Sequence, residues 1–123
     1  MAGLPTRRAT SADIPRIVDI LLAVAQLGAL IKAESSAEDL LLVERSKPQL
    51  EESAEVAAVI IVRPGQIFDV YHSGLARSLA VAIRADAKRR ALVSCAASCT
   101  VRFWPPVEDL GGTFRCAGTG RAI

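Results

Sequence analysis

The chain is short of aromatic residues, histidine and cysteine, and each shortage closes off a class of function. Aromatics are 4 % of the sequence (three Phe, one Trp, one Tyr). Ala, Leu, Val and Ile must therefore build the core. The basic residues also lack the interleaved rings and the reader motifs of nucleic-acid-binding domains, so nucleic acid is not an expected partner. His72 is the only histidine, and the cysteines are Cys95, Cys99 and Cys116. Cys95 and Cys99 stand four apart, but no His or second Cys pair completes a zinc set, and no metal site is expected. An odd number of cysteines without a secretory signal argues against a disulfide framework and for a reducing, cytoplasmic compartment. Cys95 reads as a small core residue rather than a nucleophile, because no His is placed in sequence to activate it. The most apolar run, "IVDILLAVAQLGALI" (17–31), carries Asp19 and Gln26. It is shorter than the ~20 apolar residues of a membrane span and too far inside for a signal peptide. Neither G-x-x-x-x-G-K-[ST] nor the three-glycine dinucleotide fingerprint occurs.

What remains is a globular composition, 51 % apolar and 23 % charged over 123 residues, which fits one domain. Net charge is +2, but its distribution is uneven. Glu34, Glu38, Asp39, Glu44, Glu51, Glu52 and Glu55 face only Arg45 and Lys47 in the stretch 34–55. Arg63, Arg77, Arg84, Lys88, Arg89, Arg90 and Arg102 face only Asp69 and Asp86 in the stretch 63–102. The basic half suits an anion, or is simply a solvated face opposite an acidic one.

Read along the chain, "LPTRRAT" is extended. "SADIPRIVDILLAVAQLGALI" is a helix with Ser11 as N-cap, Asp13 in the first turn and Pro15 tolerated there. Ile14, Ile17, Val18, Leu21, Leu22 and Ala25 recur at helical spacing. "SSAEDLLLV" carries a capping box (Ser35 with Glu38, or Ser36 with Asp39) and predicts a second, short helix ending near Ser46 to Pro48. "QLEESAE" is a polar connector. "VAAVIIV" (56–62) is apolar on both faces and predicts a central strand. "QIFDVYH" (66–72) predicts another, with Ile67, Asp69 and Tyr71 on one side and Phe68 and Val70 on the other. Gly74 to Arg90 is helical, with Leu75, Leu79, Ala82, Ile83 and Ala87 on one face. "ALVSCAASCTVRFW" reads as a strand. After Trp104 the patterning stops. The expected organisation is one domain over 1–104 and an irregular tail over 105–123. The expected class is mixed α/β, in the order β-α-α-β-(β)-α-β, a small mixed sheet flanked by helices and incomplete at its C-terminal end.

Gly74 stands between a strand and a helix, where a glycine can take positive φ and expose the first helical amides to an anion. Those amides would be Leu75, Ala76, Arg77 and Ser78. The alternative is a glycine-started helix with solvated arginines.

"TRRATSADIPRIVDIL" resembles the opening of the GNAT superfamily of N-acyltransferases, a strand reading R-x-A-T followed by D-I-P-x-I and an apolar helix; Thr10, Ser11, Asp13, Ile14, Pro15 and Ile17 fall into that pattern. "SSAEDLLL" is similar to the family's acidic second helix. "YHSGLA" resembles its cofactor motif [Q/R]-x-x-G-x-[G/A] at Gly74 and Ala76, with Tyr71 in the Gln/Arg position. The resemblance implies two further strands between the second helix and the central strand. It implies that Gly74, Leu75, Ala76, Arg77 and Ser78 hold the pyrophosphate of acetyl-CoA, with a splayed strand pair taking the pantetheine arm. The reaction would be attack of a small-molecule or peptide amine on the thioester, with a base for the amine and an acid for the thiolate. Asp69 is the nearby carboxylate and His72 the one imidazole, whose ordinary pKa of ~6.5 suits proton transfer; these are the candidate catalytic residues. Two alternatives stand beside this. One is a non-catalytic interaction protein on a degenerate acyltransferase scaffold, whose open sheet edge would favour a homodimer. The other is a truncated or frame-altered chain without activity.

Overall fold

The computed structural model describes residues 6–35, 40–45 and 55–115. In chain order these form β1 (Thr6–Arg8), a 3-10 turn (Ser11–Asp13), α1 (Ile14–Ala23), α2 (Leu27–Ser35), β2 (Leu40–Arg45), β3 (Glu55–Arg63), β4 (Ile67–His72), α3 (Arg77–Val93), β5 (Ser98–Trp104) and β6 (Gly112–Arg115). The strands make a single six-stranded sheet in the order β1-β2-β3-β4-β5-β6. Neighbours are antiparallel except β4 and β5, which are parallel. A parallel pair needs a crossover, and α3 provides it.

The class is thus the expected one, a mixed sheet with helices on both faces. Alternation along the strands builds two cores. Leu41, Val43, Ala58, Ile60, Phe68, Val70, Val101 and Phe103 pack with Ala80, Ile83, Ala87 and Ala91 of α3. Leu40, Leu42, Val59, Ile61 and Tyr71 pack with Ile17, Ile20 and Leu21 of α1.

Several expectations are corrected. "LLLV" is a strand, not a helix, because Leu40 and Leu42 serve one core while Leu41 and Val43 serve the other. A run that is apolar on both faces belongs inside a sheet. Of the capping box, Ser36, Glu38 and Asp39 lie outside the described residues, while Ser35 ends α2; of the connector "QLEESAE", 49–54 lie outside them and Glu55 opens β3. The long helix over 11–31 is two helices. Ala25 takes φ 56°, and the amides of Gln26 and Ala25 bond back to the carbonyls of Leu21 (3.1 Å) and Leu22 (3.0 Å). This is a Schellman closure with alanine in the left-handed position that glycine usually fills. α3 closes the same way: Cys95 takes φ 60°, Ala96 bonds to Ala91 at 2.9 Å and Cys95 to Leu92 at 2.9 Å. Consequently "ALV" ends a helix rather than starting a strand, and Cys95 is exposed at a helix end while Cys99 is the buried one. Leu22, expected inside, is 53 % exposed. Within the expected tail, Gly112–Arg115 pairs with β5 as a sixth strand.

At the start of the chain, Asp13 rather than Ser11 organises the helix entry. One of its oxygens accepts from the Thr10 amide (2.8 Å) and hydroxyl (3.1 Å), and Arg7 grips both oxygens at 2.8 and 2.9 Å. The Arg7 bond, with the Thr10 bonds beside it and burial opposing, holds this carboxyl far below the usual carboxylate range.

Candidate functional site

β4 places the two candidate catalytic residues, and the period of a strand keeps them apart. Successive side chains of a strand point to opposite faces. Phe68 and Val70 enter the α3 core, Tyr71 enters the α1 core, and Asp69 shares the face of Tyr71. His72 lies on the α3 side, edge-on to Phe103 at 6.4 Å between centroids. Asp69 and His72 therefore occupy opposite faces of the sheet.

His72 closes β4 onto the turn that follows. Its Nδ1 accepts from the Gly74 amide at 3.3 Å, which leaves the ring proton on Nε2, and Nε2 donates to the carbonyl of Pro105 at 2.9 Å. The ring thus ties the glycine turn to the chain leaving β5. Gly74 has φ +102°, and open space surrounds the position a Cβ would take. The backbone conformation, not crowding, demands glycine here.

α3 starts at Arg77. Its N-cap is Ala76, in an extended conformation, and no side chain caps this end. The first amides of a helix have no intrahelical partner, so those of Arg77, Ser78 and Leu79 face outward; the first internal bond runs from Ala80 to Ala76 at 3.0 Å. Of the candidate anion-binding residues, Gly74, Leu75 and Ala76 form the connection, while Arg77 and Ser78 open the helix. Leu75 packs its side chain against the α3 core. Arg77 donates through Nη1 to the Glu108 carbonyl at 3.0 Å, which draws its side chain towards the β5–β6 loop.

Asp69 is 1 % exposed and saturated with donors. Arg63 reaches one oxygen through Nε. Arg102 binds both, through Nε at 2.5 Å and Nη2 at 2.8 Å, and Trp104 donates from Nε1 at 3.2 Å. Burial alone would push this carboxyl up, but the bonds from Arg102, Arg63 and Trp104 outweigh it and hold it below its ordinary value. The same carboxylate stabilises the charge on both guanidiniums. An ionised carboxylate engaged in this way is a scaffold group and a poor proton acceptor. Arg63, Arg102 and Trp104 did not emerge from the sequence. The Arg63 link had a signal, since the turn "PGQ" makes a β3–β4 hairpin that sets 63 and 69 on one face. The Arg102 and Trp104 links depend on the parallel β4–β5 register and had none.

β4 and β5 stay paired from Ile67↔Thr100 to Tyr71↔Trp104. The two strands part only beyond that point, where the His72 ring bridges to Pro105. Among the described residues no group of three His, Cys, Asp or Glu side chains could hold a metal ion, and no helix is long and apolar enough to cross a membrane. No family model, curated protein or solved structure matches the chain.

Proposed function

We propose that the chain is an acetyl-CoA-dependent N-acyltransferase of GNAT type, and that the junction of β4 and α3 takes the pyrophosphate of the coenzyme. The observation that carries this reading is the strand–Gly74–helix turn beside the parallel β4–β5 pair. Only β2 stands between α2 and the central strand β3, where the resemblance implies two strands, and Gly74 follows the end of β4 by two residues. The junction fits such a group. It combines a glycine at positive φ with open space around it, uncapped helix amides and a dipole that favours an anion.

When bound, acetyl-CoA supplies an activated thioester to an amine. The amides of Arg77, Ser78 and Leu79 donate to the pyrophosphate, with the Ser78 hydroxyl and the Arg77 charge beside them. His72 keeps Gly74 in place. For His72 to move a proton, one of its two backbone bonds must break. Asp69 serves the sheet from the opposite face. The acceptor is a small-molecule or peptide amine.

A second reading, a non-catalytic binding protein on the same scaffold, draws on a specific observation. Neither Asp69 nor His72 stands free as a proton acceptor, and the β4–β5 pair is closed up to Trp104. A second copy would then add at the outer edge of β6.

The test is a thermal melt with and without millimolar acetyl-CoA, followed by turnover with a panel of amines. A ligand at 100 times its Kd raises stability by about 2.7 kcal/mol. A shifted melt with turnover is the expected result. A shifted melt without turnover on any amine favours the second reading, as does a stable dimer whose melt does not move. An unmoved melt of a monomer overturns both.

A further inference from the structure

On the α3 side of the sheet, at the end away from Gly74, lies a cleft of about 390 Å³. Its lining is Arg8 of β1, Leu41 of β2, Val62 of β3, Gln66 and Phe68 at the start of β4, and Arg90 and Ser94 at the end of α3. β4 spans roughly 20 Å at about 3.3 Å per residue, so this cleft is separate from the junction proposed for the coenzyme.

The floor and the walls differ in chemistry. Leu41 and Phe68 are buried, but Val62 is 38 % exposed, an apolar side chain left open where the floor meets solvent. Around this floor stand two arginines, one on the first strand and one on the helix, with Gln66 and Ser94. Among the described residues no acidic side chain lines the cleft. Arg90 donates from Nε to Asp86 at 2.8 Å, which leaves its terminal nitrogens unused by that bond. Asp86 also binds Arg89 at 2.7 Å, so one negative charge is shared between two positive ones. The volume falls in the range of small-molecule sites, which combine apolar surface with a few directed polar groups. The forked guanidinium matches a carboxylate in particular.

We infer that this cleft binds a small carboxylate with an apolar body, the chain lying over Leu41, Val62 and Phe68 and the carboxylate meeting the terminal nitrogens of Arg90. The site involves neither the glycine turn nor acetyl-CoA.

Octanoate is the probe, with octanol as the same chain without charge and inorganic phosphate as charge without a chain. Binding is read from amide chemical shifts of the labelled protein and from its melt. The expected result is a saturable shift of the Val62, Phe68 and Ser94 amides with octanoate, and binding of octanol and phosphate at least about tenfold weaker, the size expected for one lost charge-assisted contact. Arg90→Gln should weaken octanoate by about the same factor. Its melt should stay in place, because Asp86 keeps Arg89. Equal binding of octanol, equal binding of phosphate, shifts centred elsewhere, or no saturation each overturn the inference. Should Arg90→Gln fail to fold, the shifts of the unaltered protein decide it alone.

Discussion

Replacing Asp69 by Asn is the sharpest perturbation of this fold. The substitution keeps the size of the side chain and removes its charge. The Asp69 side chain is 2 % exposed, and those of Arg63 and Arg102 are 36 % and 45 % exposed. Removing one partner of a buried pair costs about 3–5 kcal/mol, because it strands the other charge. Here the stranded guanidiniums can swing into water and recover part of their hydration, so the cost falls near the lower end, about 3 kcal/mol. For a chain of this length that is a fall in Tm on the order of 10 °C. The assay is thermal and urea denaturation of both proteins at neutral pH. A loss under about 1 kcal/mol, the range of exposed pairs, would refute the account of a buried, saturated carboxylate. The acid limb offers a second check. A carboxyl held low in the folded state adds stability that is fully present above its unfolded value of ~4 and is lost as pH falls through the folded value. The gap between wild type and Asp69→Asn should therefore narrow in acid. Asp13, held low by Arg7, contributes a loss of the same sign to both proteins, so the difference isolates Asp69.

Three further outcomes are expected. Gly74→Ala should destabilise by about 1–3 kcal/mol because φ +102° suits glycine alone; it should also abolish any acetyl-CoA-induced rise in Tm, and a variant that melts and binds like wild type would sink the junction reading. Ala25→Gly and Cys95→Gly should each raise stability by about 1 kcal/mol, since both residues hold a left-handed helix end; denaturant midpoints that fall would contradict the Schellman assignment. Phe114→Ala should cost about 1–2 kcal/mol through loss of the ring under Arg84 (5.2 Å) and Lys88 (4.8 Å), and added salt should shrink that difference.

The sequence disclosed most where one rule could act locally. "VAAVIIV" and "QIFDVYH" are strands because their apolar residues serve two faces, and the same rule, applied to "LLLV", would have found β2. The capping-box spacing of Ser35 and Ser36 pointed to a helix instead, and four residues are too few for a period to correct it. The ends of α1 and α3 were invisible for a different reason. Chains mark such closures with glycine, and here alanine and cysteine occupy the left-handed position. For the site, parity was available and decisive: Asp69 and His72 are three apart on a strand and so cannot share a face. What lay beyond reach was non-local. Arg102 and Trp104 meet Asp69 only through a parallel register set after the α3 crossover, and nothing near 102 announces it.

Trp104, the sole tryptophan of the chain, is the last residue of β5, and its indole nitrogen bonds to Asp69 of β4. The molecule thus carries its one indole fluorophore at the seam between the antiparallel meander β1–β4 and the α3–β5–β6 unit. Its emission reports the closing of that seam and little else, whereas circular dichroism reports the helices and the whole sheet. Coincident fluorescence and dichroism transitions would show a single cooperative unit. A fluorescence change at lower denaturant would show the second unit peeling away while the meander holds.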